Sequence, residues 1–223
     1  MNTMNQMTVH GENIKFWDKI AKSYDWITLK LTKNYAAIVR RIVNDINDAE
    51  RVLEVATGSG FIAIALAKSA GLVEAIDVSS NMIEVAKNKA IQKNITNIHF
   101  SVQSAYSLEF GAGQFDAVVC SNALHCMEAP EKALSEIRRV LKANGFLIAP
   151  TFCHGVNWRS RLMSRLMSVS GFKAYRRFGT DEFFNLVSSS GFEIIRKDIS
   201  KEFVPLAYVV ARSEPPMNEQ GPF

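Results

Sequence analysis

VLEVATGSGFIAIALA, residues 52–67, decides how the rest of the chain is read. A short apolar run with branched residues meets Thr57-Gly58-Ser59-Gly60, and a second, proline-free apolar run follows. That order reads as strand, tight turn and helix. The glycines alone leave two readings open, a nucleotide-binding turn or a plain corner between a buried strand and a buried helix. Glu54 sharpens the question, because a structural corner has no use for a carboxylate inside an apolar run. Ala56 stands where many nucleotide-binding loops have another glycine. Its methyl narrows the loop but leaves Gly58 and Gly60, the residues that let a ligand approach backbone.

The same alternation continues outward. VEAIDV, residues 73–78, reads as a second strand, with Ser79 or Ser80 placed to cap the following helix. NIHFSVQSA (97–105) and FDAVVCSNAL (115–124) supply two more strands with their exit loops. A helix is expected from about Pro130 to a C-cap at Asn144-Gly145, then a fifth strand over GFLIAPTF, 145–152. DEFFNLVSSSGFEIIRKDIS adds a helix and a strand, and FVPLAYVVARS a last strand. Such a series implies an α/β fold, a Rossmann-like, mainly parallel seven-stranded sheet with helices on both faces. Before it, Phe16, Ile20, Tyr24 and Ile27 recur at helical spacing, and a second helix is expected from about Asn34 to Ile46.

At 223 residues, 48% of them hydrophobic, the chain has the material for one domain with a substantial core. No run reaches the roughly 18 apolar residues of a membrane span. The polar start MNTMNQMTVHGENIKFW lacks a secretory signal's order of basic then apolar residues, so a cytoplasmic location is expected. Cys120, Cys126 and Cys153 are an odd set without disulfide or CxxC spacing, and with His125 and His154 they still form no regular zinc pattern. No metal is expected. Net charge is +4, but the span from Trp158 to Phe178 holds six basic residues and no acidic one. Aromatics are not interleaved there at a repeated spacing, and no NPPF-like run follows the fourth strand, so a nucleic-acid acceptor is not expected.

In a sheet of this kind, ligands sit beyond the carboxyl ends of the strands. Three loops there carry matching polar chemistry: Glu54 to Gly60, Asp77 at the end of the second strand, and Gln103 to Leu108 after the third. A carboxylate at Asp77 can accept two hydrogen bonds from a ribose diol, although it can also cap the next helix. Gly58-Ser59-Gly60-Phe61-Ile62-Ala63 fits the dinucleotide pattern GxGxxA, which keeps NAD and a Rossmann oxidoreductase in view. Glu54 argues otherwise. A carboxylate beside the loop suits a cationic amine better than a diphosphate, and S-adenosylmethionine carries an amine and a sulfonium with no phosphate.

EVATGSG, AIDVSSNMIEVAKNKA, FDAVVCSNALHCM and ALSEIRRVLKANGFLIA together resemble the class I S-adenosylmethionine-dependent methyltransferases. Within that class they are most similar to the small-molecule branch with the ubiquinone and menaquinone biosynthesis enzymes, and FWDKIAKSYD resembles its N-terminal cofactor-covering helix. The resemblance spans roughly residues 15–212. It implies that Glu54 orients the donor's amino group, that Ala56, Thr57, Gly58, Ser59 and Gly60 form the loop beneath the methionine portion, and that Asp77 with Val78 holds the ribose. Met82 would pack near adenine, with Ser104 and Ala105 in the adenine-side loop, where Ser104 replaces a frequent aspartate. Asn122 and Leu124 would lie beside the donor, and Tyr24 would close over it. The product would be S-adenosylhomocysteine. The chain is then one methyltransferase domain, residues 1–223, with a helical cover (12–49), an acceptor lid (155–178) and a tail (213–223).

Methyl transfer from a sulfonium is an in-line displacement that needs alignment, exclusion of water and, for some acceptors, a base. His125, just after the fourth strand, is the candidate base, and His154, beyond the fifth, a second. Either can instead be a packing residue. Cys126, with His125, is placed to line the acceptor side. In WRSRLMSRLMSVSGFKAYRRF, 158–178, Leu162, Met163, Leu166 and Met167 make one helical stripe, with Arg161, Arg165 and Ser168 on another face. Met163 and Met167 suit a soft lid over an apolar acceptor, while the basic face suits peripheral contact with an anionic membrane, and a plain outer helix fits as well. The expected activity is methylation of a small, partly apolar acceptor. A quinol-ring C-methyltransferase and a non-catalytic S-adenosylmethionine-binding module remain alternatives, and monomer and homodimer are both open.

Overall fold

Runs dominated by Val, Ile, Leu and Ala form strands buried on both faces, and the amphipathic runs between them form the covering helices. The computed structural model describes residues 14–31, 35–46, 49–153, 175–200 and 205–213. Seven strands, β1 (Arg51–Val55), β2 (Leu72–Asp77), β3 (Ile98–Val102), β4 (Phe115–Val119), β5 (Leu141–Phe152), β6 (Phe192–Ile199) and β7 (Leu206–Ser213), make one sheet in the order β3-β2-β1-β4-β5-β7-β6. β1 to β5 pair in parallel, and β7 runs antiparallel to both β5 and β6.

Before the sheet come α1 (residues 14–20), a 3-10 turn (Ala21–Ser23), α2 (Tyr24–Leu31) and α3 (Tyr35–Ile46). The others are α4 (Phe61–Leu66), α5 (Ser80–Gln92), α6 (Pro130–Val140) and α7 (Thr180–Ser189). One core cluster joins Leu53, Val55 and Val118 to Leu134, Ile137, Phe183 and Val187 of α6 and α7. The other joins Val52, Ala117 and Val119 to Ile42 and Ile46 of α3 and Leu66 of α4. The two-residue period of β1 and β4 thus feeds both faces of the sheet. Among the described residues no helix is long and apolar enough to cross a membrane.

Two boundaries differ from the sequence expectation. The helix from Pro130 stops at Val140, not at Asn144-Gly145, because Leu141 is already extended (φ −70°, ψ 140°), buried, and paired with Phe115 of β4. Gly145 is therefore no helix cap. A Cβ there would lie 2.9 Å from the Phe115 carbonyl oxygen, so glycine permits the close approach of β5 to β4. The helix after the glycine turn, expected over FIAIALAKSA, 61–70, ends at Leu66.

Candidate active site

β1 and β2 lead the chain toward one edge of the sheet, and β4 returns on the other side of β1. This reversal leaves a crevice between the loops after β1 and β4, where open parallel sheets bind ligands. A cavity occupies it. Ala56, Gly58, Ile76, Asp77 and Val78 form its floor, and Gln103 to Tyr106 one side. Met82 of α5 adds to the wall. Ser121 to Ala123 and Cys126 to Glu128 form the opposite side, while Ile14, Trp17 and Tyr24 reach in from the N-terminal segment, and Tyr175 joins them.

The loop under the cavity alternates through left-handed backbone at Ala56 (φ +58°), Gly58 (+54°) and Gly60 (+76°). At Ala56 a side chain accepts a conformation that disfavours Cβ by roughly 1–2 kcal/mol, a strain located on the cavity floor. Gly60 is sterically required: a Cβ would lie 2.7 Å from the Ala86 Cβ on α5. The loop grips β2 in turn. The Thr57 N–H donates to the Ile76 carbonyl (2.9 Å), and the Gly58 N–H to Asp77 Oδ2 (2.8 Å). Ser79 N–H donates to Asp77 Oδ1 (2.9 Å), and the Ser79 hydroxyl caps α5 by accepting from the Met82 N–H (3.1 Å). Asp77 is thus oriented by one backbone donor on each oxygen. Burial pushes its carboxyl up, against the lowering effect of those donors.

Glu54 sits differently. Side chains alternate along a strand, so Glu54 shares the face of Val52, toward α3 and α4, and it is not on the cavity wall. Its carboxyl is 2% exposed and accepts the Thr57 hydroxyl at 2.5 Å. Burial pushes it up to about 8, and the Thr57 hydrogen bond only partly opposes this. An unfolded carboxyl titrates near 4.5, so the neutral form in the fold contributes stability that is complete below 4.5 and is lost as pH rises through about 8. The ligand-free protein is therefore expected to lose stability as pH rises from about 4.5 to about 8, and Glu54→Gln to flatten that loss. Thermal melts between pH 6 and about pH 9 check it; parallel profiles for the two proteins would overturn it.

Ser121 Oγ and Asn122 Oδ1 are buried without a hydrogen-bond partner among the described residues, and both residues lie on the wall. Asn122 also has left-handed backbone, φ +53°. Buried polar atoms of this kind cost stability unless a ligand satisfies them. Together with the carboxylate of Asp77 they suit S-adenosylmethionine, whose ribose hydroxyls and ammonium supply donors. Tyr24 lies over the glycine loop, since a Cβ on Gly58 would meet its Cε1 at 3.5 Å. Burial raises its phenol to about 12, a hydrogen bond with Thr28 acting in the opposite sense.

Of the residues singled out from sequence, Tyr24, Ala56, Gly58, Asp77, Val78, Met82, Ser104, Ala105, Asn122 and Cys126 meet at this one cavity. Thr57, Ser59, Gly60, Glu54, Leu124 and His125 are not on its wall. The hydroxyls of Thr57 and Ser59 are spent on Glu54 and Asp25, Gly60 packs on α5, and Leu124 is fully buried in the core. His125 is 5% exposed in the 3-10 turn Leu124–Cys126, and its carbonyl accepts the Arg176 N–H. Cys126 Sγ lies 3.9 Å from the Asn122 carbonyl, and burial pushes its thiol far up, which keeps it protonated. His154, Met163 and Met167 lie outside the described residues, as do most of 155–178 and 214–223. The wall also contains Trp17, Tyr106, Ser121, Met127, Glu128 and Tyr175, which the sequence reading did not single out. FWDKIAKSYD carried a signal for Trp17, an aromatic seven residues before Tyr24. Among the described residues no group of His, Cys, Asp or Glu is arranged to hold a metal.

Residues 53–149 match the family model described as methyltransferase domain. An uncharacterized methyltransferase of Bacillus subtilis, YcgJ, is 28% identical over 71% of the chain and 62% of its own length. A demethylmenaquinone methyltransferase of Renibacterium salmoninarum is 34% identical over 62% of the chain and 57% of its own length. The chain thus spans about three fifths of these curated relatives. The solved structure of the [4+2]-cyclase SpnF has the same fold, with TM-score 0.65 and 19% identity, covering 78% of the chain and 81% of SpnF. Likeness at that level speaks for the fold alone.

Proposed function

We propose that the chain is a class I S-adenosylmethionine-dependent methyltransferase, related to the menaquinone and ubiquinone methyltransferases, and that it methylates a small, partly apolar acceptor. The observation that carries this reading is the charge of the cavity wall. Its described residues include Asp77 and Glu128 but no Lys, Arg or His. Such a wall suits a cationic sulfonium donor and opposes the diphosphate of NAD. Bound there, S-adenosylmethionine supplies an electrophilic methyl group on a positive sulfur. The chain supplies position: Asp77 holds the ribose diol, Ser121 and Asn122 offer acceptors to the ammonium, and the N-terminal segment with Tyr24 excludes water.

The acceptor side is aromatic and soft. Trp17, Tyr106, Met127 and Tyr175 offer flat, polarisable surface that fits a planar acceptor better than a small polar one. Where the acceptor must lose a proton, the Glu128 carboxylate is on the wall, whereas His125 is buried behind it. A phenolic or quinol ring is the acceptor class these surfaces support best, in line with the relatives named for demethylmenaquinone and ubiquinone.

The test is a mass-resolved screen with isotopically labelled S-adenosylmethionine against naphthoquinols, benzoquinols, catechols, amines and thiols. Label is expected in a hydroxylated aromatic ring or on its oxygen. Label in amines only would overturn the acceptor class, and calorimetric binding of NAD without binding of S-adenosylmethionine would overturn the donor.

A further inference from the structure

FWDKIAKSYDW contains two aromatic–aspartate pairs, Trp17-Asp18 and Tyr24-Asp25, seven residues apart. In the fold the members of each pair divide their work. Trp17 and Tyr24 enter the cavity and meet edge to face, with ring centroids 5.9 Å apart. Asp18 and Asp25 grip what lies beside it. Asp25 accepts the hydroxyl of Ser59, in the glycine loop, on one oxygen and pairs with Lys89 of α5 at 2.6 Å on the other. Asp18 accepts the hydroxyl of Ser79 and, at 3.4 Å, the Asn81 N–H, while the Asn81 side chain donates to its carbonyl at 3.3 Å.

These contacts connect to the donor side without a break. Ser79 is also the residue whose N–H orients Asp77, and the Gly58 N–H orients the other oxygen of Asp77 beneath the Tyr24 ring. One aspartate therefore holds the loop on the methionine side and the other the turn on the ribose side.

We propose that Asp18 and Asp25 are positioning residues for methyl transfer, a two-point clasp that holds Trp17 and Tyr24 over the bound donor and sets the rate at which the spent donor leaves. The inference rests on the cavity being the donor site. Both carboxylates engage the loops that border that site, through Ser59 and Ser79, and charge-assisted hydrogen bonds of this kind are the stronger ones. Opening the segment to release product requires both to break.

The test is stopped-flow release of S-adenosylhomocysteine from wild type, Asp18→Asn, Asp25→Asn, Lys89→Met and Lys89→Arg, with a melt of each ligand-free protein beside it. Each aspartate variant is expected to release product about tenfold faster, with its melting point nearly unchanged. Lys89→Met is expected to accelerate release less, to add nothing to Asp25→Asn in the double variant, and Lys89→Arg to retain the wild-type rate. KM for the donor should rise while kcat holds or increases. Release within about twofold of wild type in both aspartate variants overturns the clasp. So does full additivity of Lys89→Met with Asp25→Asn. Should an aspartate variant not fold, the Lys89 pair decides alone: equal release in Lys89→Met and Lys89→Arg overturns the Asp25 half. A wild type that fails to bind S-adenosylhomocysteine removes the donor assignment itself, a result distinct from each of these.

Discussion

Asp77→Ala is expected to weaken S-adenosylhomocysteine binding by about 10- to 100-fold, since hydrogen bonds to a charged group contribute roughly 1.5–3 kcal/mol. Two losses combine. The ribose diol loses its acceptor, and the Gly58 and Ser79 N–H groups lose the oxygens that now align the two loops. Asp77→Asn separates them, because an amide keeps one acceptor for the loops but cannot serve both donors and the diol at once. Calorimetry should place Asn between wild type and Ala. An affinity unchanged in Asp77→Ala would remove the ribose role and with it the orientation of the donor in the cavity.

Gly60→Ala is expected to destabilise the fold by roughly 2–4 kcal/mol, the sum of left-handed backbone strain and a core overpacked against α5. The Ala86 Cβ at 2.7 Å cannot rotate away, because it is fixed to the helix backbone. Gly58→Ala is the matched comparison. It carries similar strain at φ +54°, but its new methyl meets only the Tyr24 ring at ordinary contact distance, so about 1–2 kcal/mol is expected. Denaturant melts of the pair check both values. Equal losses would mean that backbone conformation, not the contact with α5, makes glycine necessary at position 60.

The strands themselves and the loops that line the cavity were legible because they rest on short-range patterns. β1, β2 and β4 are apolar runs ended by polar residues, and parallel pairing brings those ends to one edge. Glu54 shows where this stops. The carboxylate is visible in the sequence, but its direction follows from strand parity, and Val52 already faces α3 and α4. His125 was harder. It lies in a three-residue 3-10 turn, too short for any periodicity to say which side faces the cavity. Glu128 and Tyr106 gave no local signal either. Their meeting depends on the Tyr106 hydroxyl accepting the N–H groups of Glu128 and Ala129, a contact across more than twenty positions that only the packed sheet creates. The helix expected to run to Asn144-Gly145 failed for a similar reason: pairing of Leu141 with Phe115 outweighed a good local cap.

The position of β7 between β5 and β6 bears on how the molecule is made. During synthesis β1 to β4 can pair in turn as they emerge, and with them the floor of the cavity. β6 cannot join the sheet on emerging, because its neighbour is the strand that follows it. The β5 edge stays open until residues 206–213 arrive and bridge the gap. A nascent chain stalled before that point would display an unpaired apolar edge beside an already formed cavity, the moment at which it is most open to mispairing with another chain.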